Sequence, residues 1–235
     1  MSTNRRSVIV LAAVIALIFL VSSAAMAGEV TPEKIETKIK RIITEKWTCK
    51  NLVVKVVPFQ SNSLTQSGRF QAIVFSADSI YHNGVTVAPI YVKAFDVTLD
   101  LYKLYYKNDI RTKRRKNTII NAQISEKDIN TLLKMKNMPV KNPKIDFQQD
   151  KLVFTGKYEA VFGHNLMMEA KLEVVDHRKI NLVPTKVTVN GIPLPTGPVR
   201  SLLSKINPLL DLNEVPLTPK VDSLKVLPDH IEIKG

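Results

Sequence analysis

A two-residue alternation of apolar and polar side chains constrains the fold of this chain more than any other feature. In residues 93–103, the alternate positions Phe95, Val97, Leu99 and Leu101 are apolar. This period is typical of a β-strand with one buried face. If 91–106 is one continuous strand, it is about 53 Å long at ~3.3 Å per residue. A strand of that length must curve, twist or break, and a curved sheet can enclose an elongated cavity.

The same alternation returns between residues 144 and 190. Two sets of apolar positions each share one face of a predicted strand: Leu152, Phe154, Tyr158 and Phe162 in the first, and Leu166, Met168, Ala170, Leu172 and Val174 in the second. Turn-forming residues follow at 162–165 and 176–179. The segment therefore predicts an antiparallel meander. Strands that follow one another without helices between them argue against a parallel α/β fold.

Three amphipathic helices are predicted. The first covers 32–46, with Thr31 as N-cap, Pro32 at the first helical position and an apolar stripe of isoleucines. The second starts at the N-cap Ser125 and ends before Pro139, and the third runs from 199 to 206, before Pro208. A final hairpin around residues 226–233 closes the chain. The whole predicts an α+β fold.

The first 27 residues are typical of a targeting segment. Arg5 and Arg6 precede an apolar run over 8–21, and Ala25 to Ala27 fit a cleavage site. The run of 14 residues is shorter than the roughly 20 that span a hydrocarbon core. We therefore expect residues 1–27 to be a signal peptide, with an uncleaved N-terminal anchor as the alternative. Residues 28–235 then form a single exported domain of the periplasm or cell envelope.

Charge and composition narrow the function. A formal net charge of +13 favours anionic partners, and export makes nucleic acid the poorest of these. The four histidines lack the close, repeated spacing of metal ligands, and Cys49 is the lone cysteine. Asp96 and Asp100, about 13 Å apart along a strand, are too distant for a catalytic carboxylate pair and are expected on the outer, solvated face. The sequence predicts no enzyme, no metal and no cofactor.

The densest charge lies in one run over residues 111–116. It contains Arg111, Lys113, Arg114, Arg115 and Lys116. Such a run can protect the edge of a sheet from pairing with another sheet. It can equally contact anionic lipid headgroups or a membrane surface. Both interpretations remain open from the sequence alone.

The order of these segments resembles a known family. Its motifs correspond to residues 124–133 (ISEKDINTLL), 174–180 (VVDHRKI), 189–195 (VNGIPLP) and 224–235 (LKVLPDHIEIKG). These are similar to the helix start, hairpin, exit segment and closing hairpin of the LmeA-like phospholipid-binding proteins of bacterial envelopes. The resemblance implies a fold like that of BPI and other tubular lipid-binding (TULIP) proteins, in which a long curved antiparallel sheet wraps an amphipathic helix.

The resemblance also implies a function. We expect phospholipid, or another long apolar lipid, to lie between the helix and the sheet, for lipid transfer or envelope maintenance. From periodicity alone, the predicted lining is Ile35, Ile39, Ile43, Phe95, Val97, Leu99, Leu101 and Leu132. The competing hypothesis is that these side chains form a closed core. The alternative function is a structural or assembly protein that binds acidic envelope polymers or a protein partner through its basic surface.

Overall fold

A computed structural model describes residues 29–135, 140–158, 164–195, 203–204 and 207–235. The predicted signal segment 1–27 and most of the predicted helix 199–206 lie outside these residues. Within them the helices are α1 (Pro32–Lys46), α2 (Asn62–Gln66), α3 (Leu101–Tyr106) and α4 (Glu126–Met135). The strands that precede α4 are β1 (Thr48–Lys50), β2 (Val53–Pro58), β3 (Arg69–Ala77), β4 (Ser79–His82), β5 (Val85–Val87), β6 (Ile90–Leu99), β7 (Thr112–Arg114) and β8 (Asn117–Ser125). Those that follow are β9 (Val140–Gln148), β10 (Lys151–Tyr158), β11 (His164–Val175), β12 (Lys179–Val189), β13 (Ile192–Pro193), β14 (Leu210–Asp211), β15 (Ser223–Val226) and β16 (His230–Lys234).

The strands form antiparallel sheets. The first long sheet has the order β15-β16-β8-β6-β3-β2, with β7 paired to the end of β6. The second has the order β13-β12-β11-β10-β9, with β14 paired to β12. A small sheet, β1-β4-β5, lies beside them. This mixed α+β architecture with long antiparallel sheets confirms the predicted fold class and is consistent with a curved sheet.

Helix α1 forms because its cap and its apolar stripe are both satisfied. The Thr31 side chain accepts a hydrogen bond from the Lys34 amide, which satisfies one of the free donors of the first turn. The stripe of isoleucines is buried, and the helix packs mainly on β2. The predicted helix is confirmed from Pro32 to Lys46.

The prediction of one continuous strand over 91–106 is wrong. Strand β6 ends at Leu99, and the Asp100 side chain then accepts a hydrogen bond from the Lys103 amide as the N-cap of α3. Inside β6, Asp96 has a φ of 45°, so the alternation changes phase there. Val92 and Ala94 are buried before this residue, and odd-numbered positions are buried after it.

The second long sheet confirms the predicted meander. Strands β9 to β12 pair in sequence order, and Asp176 and His177 make the turn between β11 and β12 with positive φ. Leu152, Phe154 and Leu166 are buried as expected, whereas Phe162 lies outside the described residues. The closing hairpin β15–β16 is also present.

Side chains of α4 tie the two long sheets together. Helix α4 directly follows β8 of the first sheet, where the Ser125 hydroxyl accepts a hydrogen bond from the Asp128 amide. It then packs on β9, the edge of the second sheet. The Asn130 amide group accepts from the Ile145 backbone N–H and donates to its carbonyl, both at 2.8 Å. Glu126 accepts from the Phe147 amide at 2.8 Å. Polar side chains of α4 thus provide hydrogen-bond partners for backbone groups of an edge strand that would otherwise lack them.

No helix within the described ranges combines the length and the apolar character needed to cross a bilayer.

The turn between β4 and β5 supports a stability prediction. Asn83 and Gly84 both have positive φ, as in the tight turns that join two strands. An added Cβ at Gly84 would also lie 3.0 Å from the Leu132 side chain. We expect Gly84→Ala to lower the free energy of unfolding by about 1–3 kcal/mol, through backbone strain and this contact.

Gly191→Ala is the matched control for this measurement by urea denaturation. Gly191 has a similar positive φ of 81°, but a Cβ added there would meet no atom within 4 Å. Any loss of stability in Gly191→Ala should therefore come from backbone strain alone. Equal losses in the two variants would contradict a specific contact between the β4–β5 turn and α4.

Candidate functional site

An apolar cavity of about 300 Å³ lies where the small sheet, the first long sheet and α4 meet. The β4–β5 hairpin contributes Ile80, Val85 and Val87 to its wall. Opposite elements contribute Trp47, Ile90, Ile120, Ala122, Leu132, Leu209, Leu212 and Val215. Its volume is at the lower end of the range of about 300–1,000 Å³ that is usual for small-molecule pockets. Such a wall can bury hydrocarbon.

The mouth of the cavity is polar. His82, Asn83, Asp211 and Glu214 lie among its lining residues. The Glu214 carboxylate is 3.0 Å from His82 Nε2 and accepts a hydrogen bond from the Asn83 side-chain amide at 3.3 Å. These contacts join the β4–β5 turn to the segment after β14. The site therefore combines an apolar interior with hydrogen-bonding groups at its entrance, which suits an amphipathic ligand.

A second recess adjoins the first. It measures about 320 Å³ and shares Trp47, His82, Glu214 and Val215 with the cavity. Ile42 and Ile43 of α1 and Ile110 lie on its other side. The His82–Glu214 pair and the Trp47 ring, whose centroid is 5.4 Å from that of His82, line both spaces.

The predicted lining residues are only partly brought to this site. Leu132 lines the cavity, and Ile43 lines the neighbouring recess. Ile35 and Ile39 are 0% and 2% exposed, within the packed core under α1. The cavity therefore lies beyond the C-terminal end of α1 rather than along its length.

The residues predicted on the long strand do not share one face. Val97 and Leu99 are buried in the core, as the alternation predicted. Phe95 precedes the change of phase at Asp96, so it lies on the other face, half-buried with Lys93 Nζ 4.7 Å from its ring centroid. Leu101 belongs to α3 and approaches Gly68. The prediction that these four residues form a single apolar surface is wrong.

Most of the cavity wall was not predicted from the sequence. The Asn83-Gly84 pair is a strong local signal for a hairpin, and it would have placed Ile80, Val85 and Val87 on adjacent strands. By contrast, residues 208–215 have no local pattern that indicates where they lie. They reach the cavity because β14 pairs with β12 and the Leu209 amide donates to the Ile180 carbonyl.

The basic run 111–116 contains both inward and outward side chains. Arg115 donates hydrogen bonds to the Leu217 carbonyl and the Thr218 hydroxyl. Burial and the nearby Arg178 lower the pKa of its guanidinium. Arg115 thus holds residues 217 and 218, and its contact with headgroups stays a prediction.

The other four basic residues face outward. Arg111, Lys113, Arg114 and Lys116 are exposed, and β7 pairs with only the last residues of β6. Arg111 lies 3.4 Å from Asp109, and Arg114 lies 3.8 Å from Asp96. The run is therefore a short strand at a sheet edge that also presents basic groups to the solvent.

Asp96 has a defined partner, which corrects the expectation of a simply solvated carboxylate. It accepts hydrogen bonds from Arg69 Nε at 2.8 Å and Nη2 at 3.1 Å. The hydrogen bond from Arg69 holds the pKa of Asp96 below its ordinary value of 3.8, with Arg114 and Lys116 adding to the effect. Asp100 is likewise occupied, as the cap of α3.

This pair predicts a pH-dependent difference in stability. Because the pKa of Asp96 is lower in the folded chain, its ion pair contributes stability above the ordinary pKa and loses it as the pH falls through the folded value. We expect Asp96→Asn to be less stable than the original chain at pH 7. The difference should shrink at pH 3 and below. Asparagine retains the side-chain shape and tolerates the positive φ, so urea denaturation at both pH values isolates the charge. A difference unchanged by pH would contradict the role of the pair.

The four histidines and Cys49 are the remaining side chains considered as candidate ligands or nucleophiles. The histidines lie at strand ends or in a turn, as predicted: His82 ends β4, His164 starts β11, His177 is in the β11–β12 turn and His230 starts β16. Burial raises the pKa of the Cys49 thiol, which disfavours the reactive thiolate. Among the described residues, no group of three or more His, Cys, Asp or Glu side chains is arranged to hold a metal ion.

Comparison with known proteins identifies the family. Neither the curated proteins nor the solved structures include a significant match to the chain. The sequence model of one family, described as LmeA-like phospholipid-binding, matches residues 57–235. The match covers most of the chain, including α4, the second long sheet, the first long sheet apart from most of β2, and all of the cavity wall except Trp47. The chain thus belongs to the LmeA-like phospholipid-binding family.

Proposed function

We propose that this protein is an exported, non-enzymatic component of the cell envelope that holds the acyl chain of a phospholipid, or of a similar long-chain lipid, in the cavity beside α4. The observation that carries the proposal is the cavity of about 300 Å³, which has an apolar wall and a polar mouth. Membership of a phospholipid-binding family supports the same ligand class. Export rests on the character of the N-terminal segment 1–27.

Binding of this kind requires burial rather than chemistry. Each methylene group removed from water stabilises a complex by about 0.8 kcal/mol, so a short length of chain in the cavity is enough for useful affinity. His82, Asn83 and Glu214 at the mouth can hydrogen-bond to the polar part of the lipid. The exposed residues Arg111, Lys113, Arg114 and Lys116 would meet an anionic membrane surface. Lipid binding of this kind uses no cofactor. The protein would bind lipid in order to transfer it or to maintain the envelope.

Mass spectrometry of bound lipid tests the proposal. The purified protein is extracted with organic solvent after preparation in native buffer and in mild detergent, and the extract is compared with that of an unrelated basic protein. We expect phospholipid or another long-chain lipid at close to one molecule per chain. If no lipid is found and none is taken up from vesicles, the proposal is wrong. Salt-sensitive binding to acidic polymers would then favour the alternative, a structural protein that acts through its basic surface.

A further inference from the structure

Helix α3 and the loop that follows it form a compact, well-fixed unit between β6 and β7. The Asp109 amide donates to the Lys103 carbonyl, and the Asp100 amide donates to the Arg111 carbonyl, which closes the loop at its base. Lys38 of α1 also contacts the unit, donating to the Tyr105 carbonyl and to the Asn108 side chain at 2.7 Å. The unit therefore presents a defined surface.

Two tyrosines dominate the outer side of α3. Leu104 is fully buried on the inner side, whereas Tyr102 and Tyr106 are 58% and 56% exposed. The two rings pack on each other with centroids 5.2 Å apart. The pair forms one contiguous exposed aromatic surface, and contiguous apolar surface rimmed by polar residues marks sites of membrane or protein interaction. Tyrosine has an apolar body and a polar tip, so it is stable at the boundary between hydrocarbon and water.

The segment that carries these tyrosines is strongly basic. Residues 101–116 contain seven basic side chains and the single acid Asp109, which pairs with Arg111. Arg115 points inward, but Lys107, Arg111, Lys113, Arg114 and Lys116 are exposed. Aromatic and basic residues together on one short unit match the two components of an anionic bilayer surface, its interfacial layer and its charge.

We propose that α3 and the exposed basic residues after it, the α3 face, form the surface by which the protein docks on an anionic membrane, with Tyr102 and Tyr106 in the headgroup layer. The inference rests on the proposed function in taking a lipid membrane as the place where the protein meets its ligand. It adds Tyr102 and Tyr106 of α3 to the basic residues already named, and assigns these two side chains to the headgroup layer. The α3 face is distinct from the cavity, because none of the residues 101–108 lines it.

A second surface provides the comparison. The β12–β13 hairpin exposes Ile192 at 67% and Leu194 at 43%. These side chains are apolar and could also enter a bilayer. We assign docking to the α3 face because its basic residues supply the attraction to anionic headgroups in addition to apolar contact.

Tryptophan fluorescence can identify the membrane-facing surface directly. The chain contains one tryptophan, Trp47, which is 7% exposed and lines the cavity, so the signal of the original chain with the same vesicles is subtracted from that of each variant. Tyr102→Trp and Tyr106→Trp are each mixed with vesicles that contain brominated phosphatidylglycerol. We expect the emission of both variants to shift to shorter wavelength and to be strongly quenched. This should hold whether residues 1–27 are cleaved or retained. Tyr91→Trp, on β6 and 36% exposed, is the matched control and should show neither.

Two results would overturn the inference. One is equal quenching at positions 91 and 102, since this would mean that the α3 face is not preferred. The other is quenching of Ile192→Trp without quenching of Tyr102→Trp, which would assign docking to the β12–β13 hairpin. Equal quenching with vesicles of brominated phosphatidylcholine, which are neutral, would also contradict docking on an anionic surface.

Charge variants test the electrostatic component. The triple substitution Lys113→Gln, Arg114→Gln and Lys116→Gln should weaken binding to phosphatidylglycerol vesicles roughly 100-fold, at ~1 kcal/mol for each basic residue near the surface. The control replaces the exposed lysines Lys40, Lys171 and Lys186 by Gln, which makes the same change in net charge elsewhere on the molecule. Equal weakening by the two triples would contradict a localised docking surface.

Failure here is distinguishable from failure of the proposed function. Variants of the α3 face should keep the lipid that copurifies with the protein, because the cavity wall is unchanged. If the variants lose docking and keep their lipid, both proposals are supported. If the original chain holds lipid but does not dock through the α3 face, this inference alone is overturned. If the original chain holds no lipid, the proposed function alone is contradicted.

Discussion

Replacing Ala122 by phenylalanine is expected to reduce the amount of bound lipid at least about tenfold while the protein stays folded. Ala122 lies on β8, is 4% exposed and lines the cavity. The larger ring would occupy space that the acyl chain needs. Excluding two methylene groups from burial costs about 1.6 kcal/mol, slightly more than the 1.4 kcal/mol of a tenfold change in affinity.

The control for this variant has to add the same ring outside the cavity. Val57→Phe does so on β2, where Val57 is 40% exposed and does not line the cavity. Lipid is measured by mass spectrometry after solvent extraction, and folding is checked by urea denaturation. We expect Val57→Phe to keep its lipid. Retention of lipid by a folded Ala122→Phe protein would mean that the acyl chain is bound elsewhere.

A second comparison separates empty space from packed core. Ala94 is fully buried on the neighbouring strand β6 and does not line the cavity. Ala94→Phe should therefore be overpacked and lose about 1–3 kcal/mol or more of stability. Ala122→Phe should lose less, since its ring has a cavity to enter. Equal destabilisation would show that the space beside Ala122 is too small or rigid to accept a ring.

The fold was largely predictable because its signals are local. Alternation identified the meander, and the Thr31 and Ser125 caps identified α1 and α4. The prediction failed at Asp96 and Asp100, where an aspartate in a positive-φ conformation and then an N-cap interrupt an alternating pattern. The alternation of apolar and polar residues cannot by itself reveal the positive φ or the N-cap. The Asp100 cap did have a signal, since aspartate is a preferred residue at a helix start.

The site was much less predictable because it is assembled from distant segments. Its wall combines the end of α1, the β4–β5 hairpin, β8, α4 and residues 208–215. Buried apolar residues of a core and of a cavity wall have the same periodicity, so the sequence could not tell Ile39 from Leu132. Arg115 shows the same limit for charge: its partners, Leu217 and Thr218, are about a hundred residues away along the chain.

The motif in residues 124–133, by which the sequence resembles its family, has a structural explanation in α4. Glu126 and Asn130 form hydrogen bonds with backbone groups of β9, while Leu132 from the same helix lines the cavity. Helix α4 thus connects the assembly of the two sheets to the shape of the site. A change that releases α4 from β9 should affect both stability and lipid binding.

Asn130→Ala is therefore expected to lower the free energy of unfolding by about 2–4 kcal/mol. Ile145 is 0% exposed, and the substitution would leave its N–H and carbonyl without the side-chain partners that they have at 2.8 Å. Each buried polar group left unsatisfied costs about 1–3 kcal/mol. Lipid content should fall as well, since Leu132 is no longer held in place.

The adjacent residue provides the control. Thr131 is exposed, and its hydroxyl donates only to the Lys127 carbonyl of the preceding turn, so Thr131→Ala should change stability by less than about 0.5 kcal/mol. Asn207 makes the same pair of hydrogen bonds to Leu182 of β12, with the amide at 2.8 Å and the carbonyl at 2.9 Å. Asn207→Ala should thus be similarly unstable. If Asn130→Ala unfolds at the same urea concentration as Thr131→Ala, water replaces the asparagine at the edge of β9, and α4 is held to the second sheet by apolar packing alone.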